Sequence, residues 1–272
     1  MKYQLIVCDL DETLLNDHHQ VGQKNKEAIL KAKALGIKFV PCTGRLFTSV
    51  ENVLKDLELF DKANEYVLSA NGGILTENKN HRVLQMKGLS YEKTKELFDF
   101  GKDKAVCITI YTLQHIYVYH LNDNEKERME RQGIRYRVFE DETLSFLKHE
   151  DIVKVLFETL DMEYLKTLEL QMHHIIADEV SLSYSSGRYM ELNQLGVDKG
   201  QGLKDLTAYL HIPLEATIAV GDNENDLAML KVAGLSVAAG NAVEDVKKIC
   251  DYTTQADCNE GVVAELIEKF IF

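Results

Sequence analysis

The sequence has little proline, little glycine and a deficit of positive charge. Only 2 of its 272 residues are proline and 16 are glycine, which excludes a collagenous or low-complexity chain. Lysine and arginine number 31 against 44 aspartates and glutamates, for a net charge of −13. Because nucleic-acid binding needs a broad basic surface, we expect no nucleic-acid partner. With 45% hydrophobic residues, the chain is predicted to be globular, with one or two domains.

The sequence also lacks a cysteine framework and a long apolar run. Its five cysteines include no C-x-x-C pair, so neither a disulfide framework nor a zinc knuckle is predicted. The apolar residues 5–8 are too few for a signal-peptide core and meet carboxylates at once. The longest stretch without Asp, Glu, Lys or Arg, residues 105–122, alternates apolar and polar side chains, which is typical of strands rather than a membrane helix. We therefore expect a cytoplasmic protein without a membrane segment.

Short apolar runs predict the strands of a parallel sheet. They occupy residues 5–8, 37–42, 66–69, 218–220 and 235–238. Nearly continuous runs of this kind are typical of strands covered on both faces. Between the first two, residues 23–35 have apolar side chains at helical spacing and precede Gly36, a residue that favours a helix C-terminus. The alternation of strand and helix predicts an α/β fold with a doubly wound, Rossmann-like parallel sheet.

The middle of the chain has a different pattern. Residues 105–111 and 116–121 alternate around a short polar connection, which is typical of an antiparallel hairpin. Further strands are predicted at residues 152–157, 175–177 and 181–184, and helices at 91–100 and 164–171. We therefore predict a mixed α+β domain over residues 83–187, inserted into a core made of residues 1–82 and 188–272.

Two aspartates follow the first apolar run. Asp9 and Asp11 come directly after residues 5–8, at the carboxyl edge of the predicted sheet, where α/β proteins build their sites. In an extended chain their side chains point to the same side. Close carboxylates repel each other, and a divalent cation between them, or a proton kept on one of them, makes the arrangement stable. A solvated acidic loop is the alternative interpretation.

Two further segments are candidates for holding a phosphate. Thr43 and Gly44 follow the second predicted strand and precede a helical pattern that starts near residue 46. A hydroxyl and free backbone N–H groups at such a position bind anions, and an N-cap role for Thr43 is the alternative. Lys199 precedes a helix with leucines at helical spacing, and an ordinary solvated lysine is the alternative there.

A polar cluster follows the fourth predicted strand. Residues 221–226 read Gly-Asp-Asn-Glu-Asn-Asp. Three acids and two amides make a costly helix start unless their oxygens bind a hard cation such as Mg²⁺. The candidate residues are Asp222, Asn225 and Asp226.

Together these segments resemble the haloacid dehalogenase superfamily of phosphatases, and within it the Cof-type branch. The resemblance covers the whole chain. It rests on Asp9 and Asp11, T-G-R at residues 43–45, S-A-N-G-G at 69–73, the large insertion, G-V-D-K-G at 196–200, G-D-x-x-N-D at 221–226 and G-N-A at 240–242. Glu12 stands where the family usually has glycine. The resulting D-L-D-E-T also opens the capless phosphatases that act on phosphorylated polymerase tails, but those lack the large insertion.

The resemblance implies a role for each motif residue. Asp9 is expected to be the nucleophile, and Asp11 the general acid and base. Mg²⁺ is expected as the cofactor, held by Asp9, by the backbone carbonyl of Asp11 and by Asp222, with Asp226 as a ligand or as a neighbour that orients the ligands. The residues expected to bind the phosphoryl oxygens are Thr43, Gly44, Lys199 and Asn225.

The expected activity is hydrolysis of a small organic phosphomonoester, such as a sugar phosphate or a phosphorylated cofactor, through an aspartyl-phosphate. The inserted domain is expected to act as a lid that selects the substrate. Two alternatives stay open: a phosphate-accepting switch similar to a receiver domain, and a phosphate-binding protein without catalysis. The length of the chain and the insertion disfavour the switch. The presence of every motif acid disfavours a binding protein without catalysis. The sequence leaves the particular substrate and the oligomeric state open.

Overall fold

The computed structural model describes residues 2–272 and contains fourteen strands and nine α-helices in that range. The strands are β1 (Leu5–Cys8), β2 (Lys38–Pro41), β3 (Tyr66–Ser69), β4 (Ile74–Glu77), β5 (Arg82–Met86), β6 (Cys107–Thr112), β7 (Ile116–Tyr119), β8 (Arg137–Val138), β9 (Ile152–Glu158), β10 (Val180–Ser185), β11 (Tyr189–Gln194), β12 (Thr217–Gly221), β13 (Leu235–Ala238) and β14 (Tyr252–Thr253). The helices are α1 (Gln23–Ala34), α2 (Glu51–Asp56), α3 (Tyr91–Gly101), α4 (Asp123–Arg131), α5 (Met162–Ile176), α6 (Lys199–Leu210), α7 (Leu227–Val232), α8 (Glu244–Ile249) and α9 (Val262–Phe270).

The chain divides into two compact units. The first comprises residues 2–86 and 198–272, and the second is Lys87–Val197. The predicted boundaries, after residues 82 and 187, differ from this division. They differ because β5 pairs with β4 in the first unit, whereas β11 pairs with β9 and β10 in the second. The pairing of β5 extends the first unit to residue 86, and the pairing of β11 extends the second unit to residue 197.

The first unit is built on a parallel sheet with the strand order β14-β13-β12-β1-β2. Every residue of β1 and β12 is buried, so both faces of the central strands are covered. Helices α1 and α9 pack together, as do α6 and α7. The predicted α/β class with a parallel sheet is confirmed.

Helix α1 illustrates how the sequence sets an element's end. The helix finishes at Ala34, and Gly36 adopts a φ of +86°. This left-handed conformation is one that glycine enters at little cost. The chain then turns into β2, as the strand-helix-strand pattern predicts.

An antiparallel extension continues from the parallel sheet. A parallel bridge between Cys42 and Leu68 joins the end of β2 to β3, and β3, β4 and β5 form an antiparallel three-stranded sheet. Strands β4 and β5 were not predicted. The helical pattern predicted from residue 46 is a 3₁₀ turn at Phe47–Ser49, and α2 begins only at Glu51.

The second unit is a six-stranded sheet with the order β10-β11-β9-β6-β7-β8, antiparallel except for the β7–β8 pair. Helices α3 and α5 pack against it and against each other. Their apolar faces form a core with one face of the sheet, to which Leu97, Phe157, Leu165 and Met172 contribute. The predicted mixture of antiparallel strands and helices is therefore present.

One predicted strand of the second unit is wrong. Residues 175–177 form the C-terminal turn of α5 and its cap, not a strand. Ile175 and Ile176 are buried on the same face as Leu168 and Met172, because residues three, four and seven apart share one side of a helix. A run of three apolar residues is too short to separate this spacing from that of a strand.

Among residues 2–272, no helix is both long and apolar enough to cross a bilayer. All five cysteines are free. Burial raises the pKa of the Cys107 thiol to about 12 and that of Cys258 to about 11, so these thiols stay protonated at neutral pH. The expected cytoplasmic location stays a prediction.

Candidate active site

The ends of three parallel strands bring the first motif residues together. Cys8 of β1 lies in register with Val220 of β12 and with Pro41 of β2. Beyond Cys8, the backbone N–H of Asp9 donates to the Val220 carbonyl at 3.0 Å, and that of Cys42 donates to the Cys8 carbonyl at 2.7 Å. Asp9 therefore begins a loop at the carboxyl edge of the sheet, as predicted.

Lys199 is the buried centre of the site. Its Nζ lies 2.5 Å from Oδ1 of Asp9 and 2.6 Å from Oδ1 of Asp226, and its side chain is fully buried. The residue occupies the first turn of α6, where the Asp198 side chain caps the helix by accepting from the backbone N–H of Gln201 at 2.7 Å. The alternative of a solvated lysine is wrong.

The loop after β12 positions two more carboxylates. Oδ2 of Asp226 accepts from the backbone N–H groups of Asp222 and Asn223, at 3.0 and 3.1 Å. Oδ1 of Asp222 accepts from Oγ1 of Thr13 at 2.7 Å. No role was predicted for Thr13, although its place two residues after Asp11 was an available signal.

The buried cluster contains more carboxylates than positive groups. Burial and the nearby Asp226 carboxylate raise the pKa of Asp9 well above its usual range, although Lys199 opposes the shift. The same two causes raise the pKa of Asp222 to about 7. For Lys199, burial lowers the pKa, but the carboxylates of Asp226 and Asp9 outweigh it and raise the pKa. One ammonium thus faces three buried carboxylates.

The donor set of this cluster fits a hard cation. Carboxylate oxygens of Asp9, Asp222 and Asp226 all lie within 4.8 Å of one another. An all-oxygen set of carboxylates suits Mg²⁺ or a similar divalent ion. A cation here would also relieve the repulsion that, after burial, raises the pKa values of Asp9 and Asp222.

Asp11 lies outside the buried cluster. Its side chain is 43% exposed and forms an ion pair with Arg45, whose Nε donates to Oδ2 at 2.9 Å and whose Nη2 donates to Oδ1. The structure therefore does not bring the Asp11 carboxylate to the other three. That the backbone carbonyl of Asp11 binds the metal stays a prediction. This pairing of Arg45 was not predicted.

The loop at residues 43–45 is held by the neighbouring loop after β3. Thr43 donates its backbone N–H to Leu68 at 2.9 Å, and its carbonyl accepts from Asn71 at 3.0 Å. Its Oγ1 accepts from the backbone N–H of Arg45 at 3.1 Å, so Thr43 closes a local turn and does not cap a helix. A Cβ on Gly44 would lie 3.0 Å from Oδ1 of Asn71. The two loops therefore pack closely.

Asn225 lies in the 3₁₀ turn Glu224–Asp226 and is half-buried. The predicted phosphate-binding roles of Asn225, Thr43 and Gly44 stay predictions.

Gly221 is required by the close approach of Asp226. A Cβ at residue 221 would lie 2.5 Å from Cγ of Asp226. We expect Gly221→Ala to displace the Asp226 carboxylate, to lower the free energy of unfolding by about 1–3 kcal/mol and to lower activity. Urea denaturation measures the first effect. A variant as stable as the wild type would contradict the observed packing.

Comparison with known proteins agrees with this geometry. The model of the haloacid dehalogenase-like hydrolase family matches residues 6–266. The phosphatase YwpJ of Bacillus subtilis is 29% identical, over 95% of this chain and 97% of its own length. The 5-amino-6-(5-phospho-D-ribitylamino)uracil phosphatase YcsE of the same organism is 28% identical, over 95% of this chain and 92% of its own length.

A solved structure of a protein from this family also matches the chain. A haloacid dehalogenase-like hydrolase from Bacteroides thetaiotaomicron has the same fold, with a TM-score of 0.86, 29% identity and complete coverage of both chains. The chain therefore belongs to the haloacid dehalogenase-like hydrolases and is a phosphatase of the Cof type, as its motifs indicated.

Proposed function

We propose that this phosphatase hydrolyses small organic phosphomonoesters with the help of Mg²⁺, through an aspartyl-phosphate, the acyl phosphate of Asp9. The observation that carries the proposal is the buried contact between Lys199 and Asp9, with Asp226 on the other side of the ammonium. An ammonium fixed on one oxygen of a strand-end carboxylate leaves the other oxygen directed for attack. It also supplies positive charge where a phosphate must bind.

Two displacements account for the reaction. Oδ2 of Asp9 attacks phosphorus while the ester P–O bond breaks, and Asp11 gives its proton to the leaving alkoxide. Asp11 then takes a proton from a water molecule whose oxygen attacks phosphorus. The bond between phosphorus and Asp9 breaks, so that inorganic phosphate leaves and both aspartates return to their starting states.

The pairing of Asp11 with Arg45 has a consequence for this scheme. Both carboxylate oxygens of Asp11 accept from the guanidinium. Asp11 must leave at least one of these hydrogen bonds to reach the leaving oxygen. Arg45 therefore competes with the substrate for the Asp11 side chain.

The cation would be held by Asp9, Asp222 and the backbone carbonyl of Asp11. Bound there, Mg²⁺ supplies charge that lets an anionic carboxylate approach an anionic phosphate. Asp226 fits the orienting role better than that of a direct ligand. One of its oxygens accepts from Lys199 and the other from two backbone amides. Thr43, Gly44 and Asn225 are proposed to bind the phosphoryl oxygens together with Lys199.

The proposed substrate class is the small phosphorylated metabolite. YcsE, a relative over nearly its whole length, is named for a phosphate on a ribityl chain. The net charge of −13 disfavours nucleic-acid substrates. We also propose that the inserted unit acts as a lid and selects the substrate.

The test is a screen of phosphomonoesters with purified protein, Mg²⁺ and a phosphate-release assay. Many phosphates released per chain support the enzyme. A single phosphate retained per chain would support the switch, and no release from any ester would support the non-catalytic binding protein. Either of the last two results would overturn the proposal.

Removal of the cation gives a separate prediction. We expect EDTA to stop phosphate release and added Mg²⁺ to restore it. Asp222→Asn should raise the Mg²⁺ concentration for half-maximal activity by at least about tenfold, because one charged ligand is lost. The matched control is Asp141→Asn, which makes the same change at an exposed position and should leave the requirement unchanged. Full activity of EDTA-treated protein would contradict the metal assignment.

A further inference from the structure

The inserted unit contains a cleft whose lining carries positive charge. The cleft has a volume of about 310 Å³ and is lined by Gln114, His115, Ile116, Arg135, Tyr136 and Arg137. It lies at one edge of the six-stranded sheet, between the turn that joins β6 to β7 and the edge strand β8. All six residues belong to the second unit, and none is acidic.

Arginine is concentrated in this part of the chain. Four of the seven arginines, Arg128, Arg131, Arg135 and Arg137, fall within ten residues. Arg128 donates to the hydroxyl of Tyr189. Within residues 2–272, no carboxylate lies within ion-pair distance of Arg135 or Arg137, whereas Arg45 and Arg82 each have one and Arg188 has two. Two guanidiniums of a strongly acidic protein thus lack an internal counter-charge at the same cleft.

Aromatic side chains fix part of the cleft. Arg137 pairs in register with Tyr117, its Nη1 donates to the Tyr117 hydroxyl at 3.4 Å, and its guanidinium carbon lies 5.8 Å from the centre of that ring. The ring of His115 stacks on the ring of Tyr117, with the ring centroids 6.0 Å apart. Both contacts restrict how Arg137 and His115 can move, so less conformational entropy is lost when an anion binds.

His115 adds an unpaired polar atom. Its Nδ1 is buried and has no hydrogen-bond partner among residues 2–272. A buried ring nitrogen without a partner is costly, and a rotation of the ring that brings Nδ1 to a ligand in the cleft would remove the cost. Two guanidiniums without a carboxylate partner among residues 2–272 and the His115 ring therefore line the same space.

We propose that this cleft is a second binding site, outside the aspartate cluster, for a small organic phosphate. Arg135 and Arg137 bind the phosphate oxygens, since the planar guanidinium matches phosphate in a two-point contact. The organic part lies against Tyr136 and Ile116. A volume of about 310 Å³ is at the lower end for small-molecule sites, which favours a compact ligand.

The experiment follows the methyl resonance of Ile116 by NMR while inorganic phosphate or phenylphosphonate is added at constant ionic strength. Phenylphosphonate is chosen because its C–P bond resists hydrolysis. We expect a saturable shift of the Ile116 resonance with both probes. The Arg135→Gln/Arg137→Gln variant should raise the dissociation constant at least about tenfold and leave phosphate release from a good substrate unchanged.

Arg131→Gln is the matched control, because it removes the same charge from an exposed arginine outside the lining. It should leave the Ile116 titration unchanged. Tighter binding of phenylphosphonate than of phosphate supports an organic ligand, and equal binding supports the same anion site with free phosphate as its ligand. The proposal is overturned if no saturable shift occurs, if the double variant still binds, or if Arg131→Gln weakens binding equally.

Discussion

Asp9→Asn is expected to lower phosphate release at least about a thousandfold while the fold is retained. An amide is not nucleophilic enough to form the acyl phosphate, so the first displacement is lost. The fold should survive because asparagine has the same shape and still offers Oδ1 as an acceptor to Lys199. Burial and Asp226 raise the pKa of Asp9, so a neutral side chain is also less costly at this position.

Circular dichroism and urea denaturation of the Asp9→Asn variant provide the control for folding. Asp141→Asn is the matched control for the assay and should retain wild-type activity. An Asp9→Asn protein with activity within tenfold of the wild type would rule out Asp9 as the nucleophile.

Lys199→Met is expected to have the second-largest effect, on both stability and activity. The ammonium is the partner of Asp9 and Asp226, and all three groups are buried. Removing one partner of a buried ion pair leaves uncompensated charge, at a cost of about 3–5 kcal/mol. Activity should fall at least about a hundredfold, because the positive charge at the attacking carboxylate is lost.

A second variant keeps this prediction testable if Lys199→Met does not fold. In Lys199→Met/Asp226→Asn the buried charge of Asp226 is removed as well, while an amide oxygen still accepts from the backbone of Asp222 and Asn223. We expect the double variant to regain part of the lost stability in urea denaturation but none of the activity. Recovery of activity would show that Lys199 serves the fold alone.

The sequence was sufficient to predict four strands of the central sheet, β1, β2, β12 and β13, but not β14, and it placed residues 66–69 in that sheet although β3 belongs to the antiparallel one. The run Leu5–Cys8 is short, apolar and followed by acids, and such a pattern has few structural solutions other than a buried strand that ends at a site. The burial of Lys199 was not predictable from its neighbours in sequence. Its environment is set by Asp9, 190 residues away in the chain.

Predictions failed where local patterns were weak or partners were distant. Strand β4 follows Gly72 and Gly73, β5 follows the 3₁₀ turn Lys79–His81, and the residues of both strands do not alternate clearly. The pairing of Arg45 with Asp11 and that of Thr13 with Asp222 join residues 34 and 209 positions apart. Spacing within one segment carries no information about such contacts, because they depend on how separate loops meet at the edge of the sheet.

The stereochemical course at phosphorus tests the central claim most directly. A substrate whose phosphate is made chiral with oxygen isotopes is hydrolysed, and the configuration of the released phosphate is determined. Each in-line displacement inverts phosphorus, so two displacements through Asp9 predict net retention. Net inversion would mean that water attacks the substrate directly, and it would contradict the covalent role of Asp9.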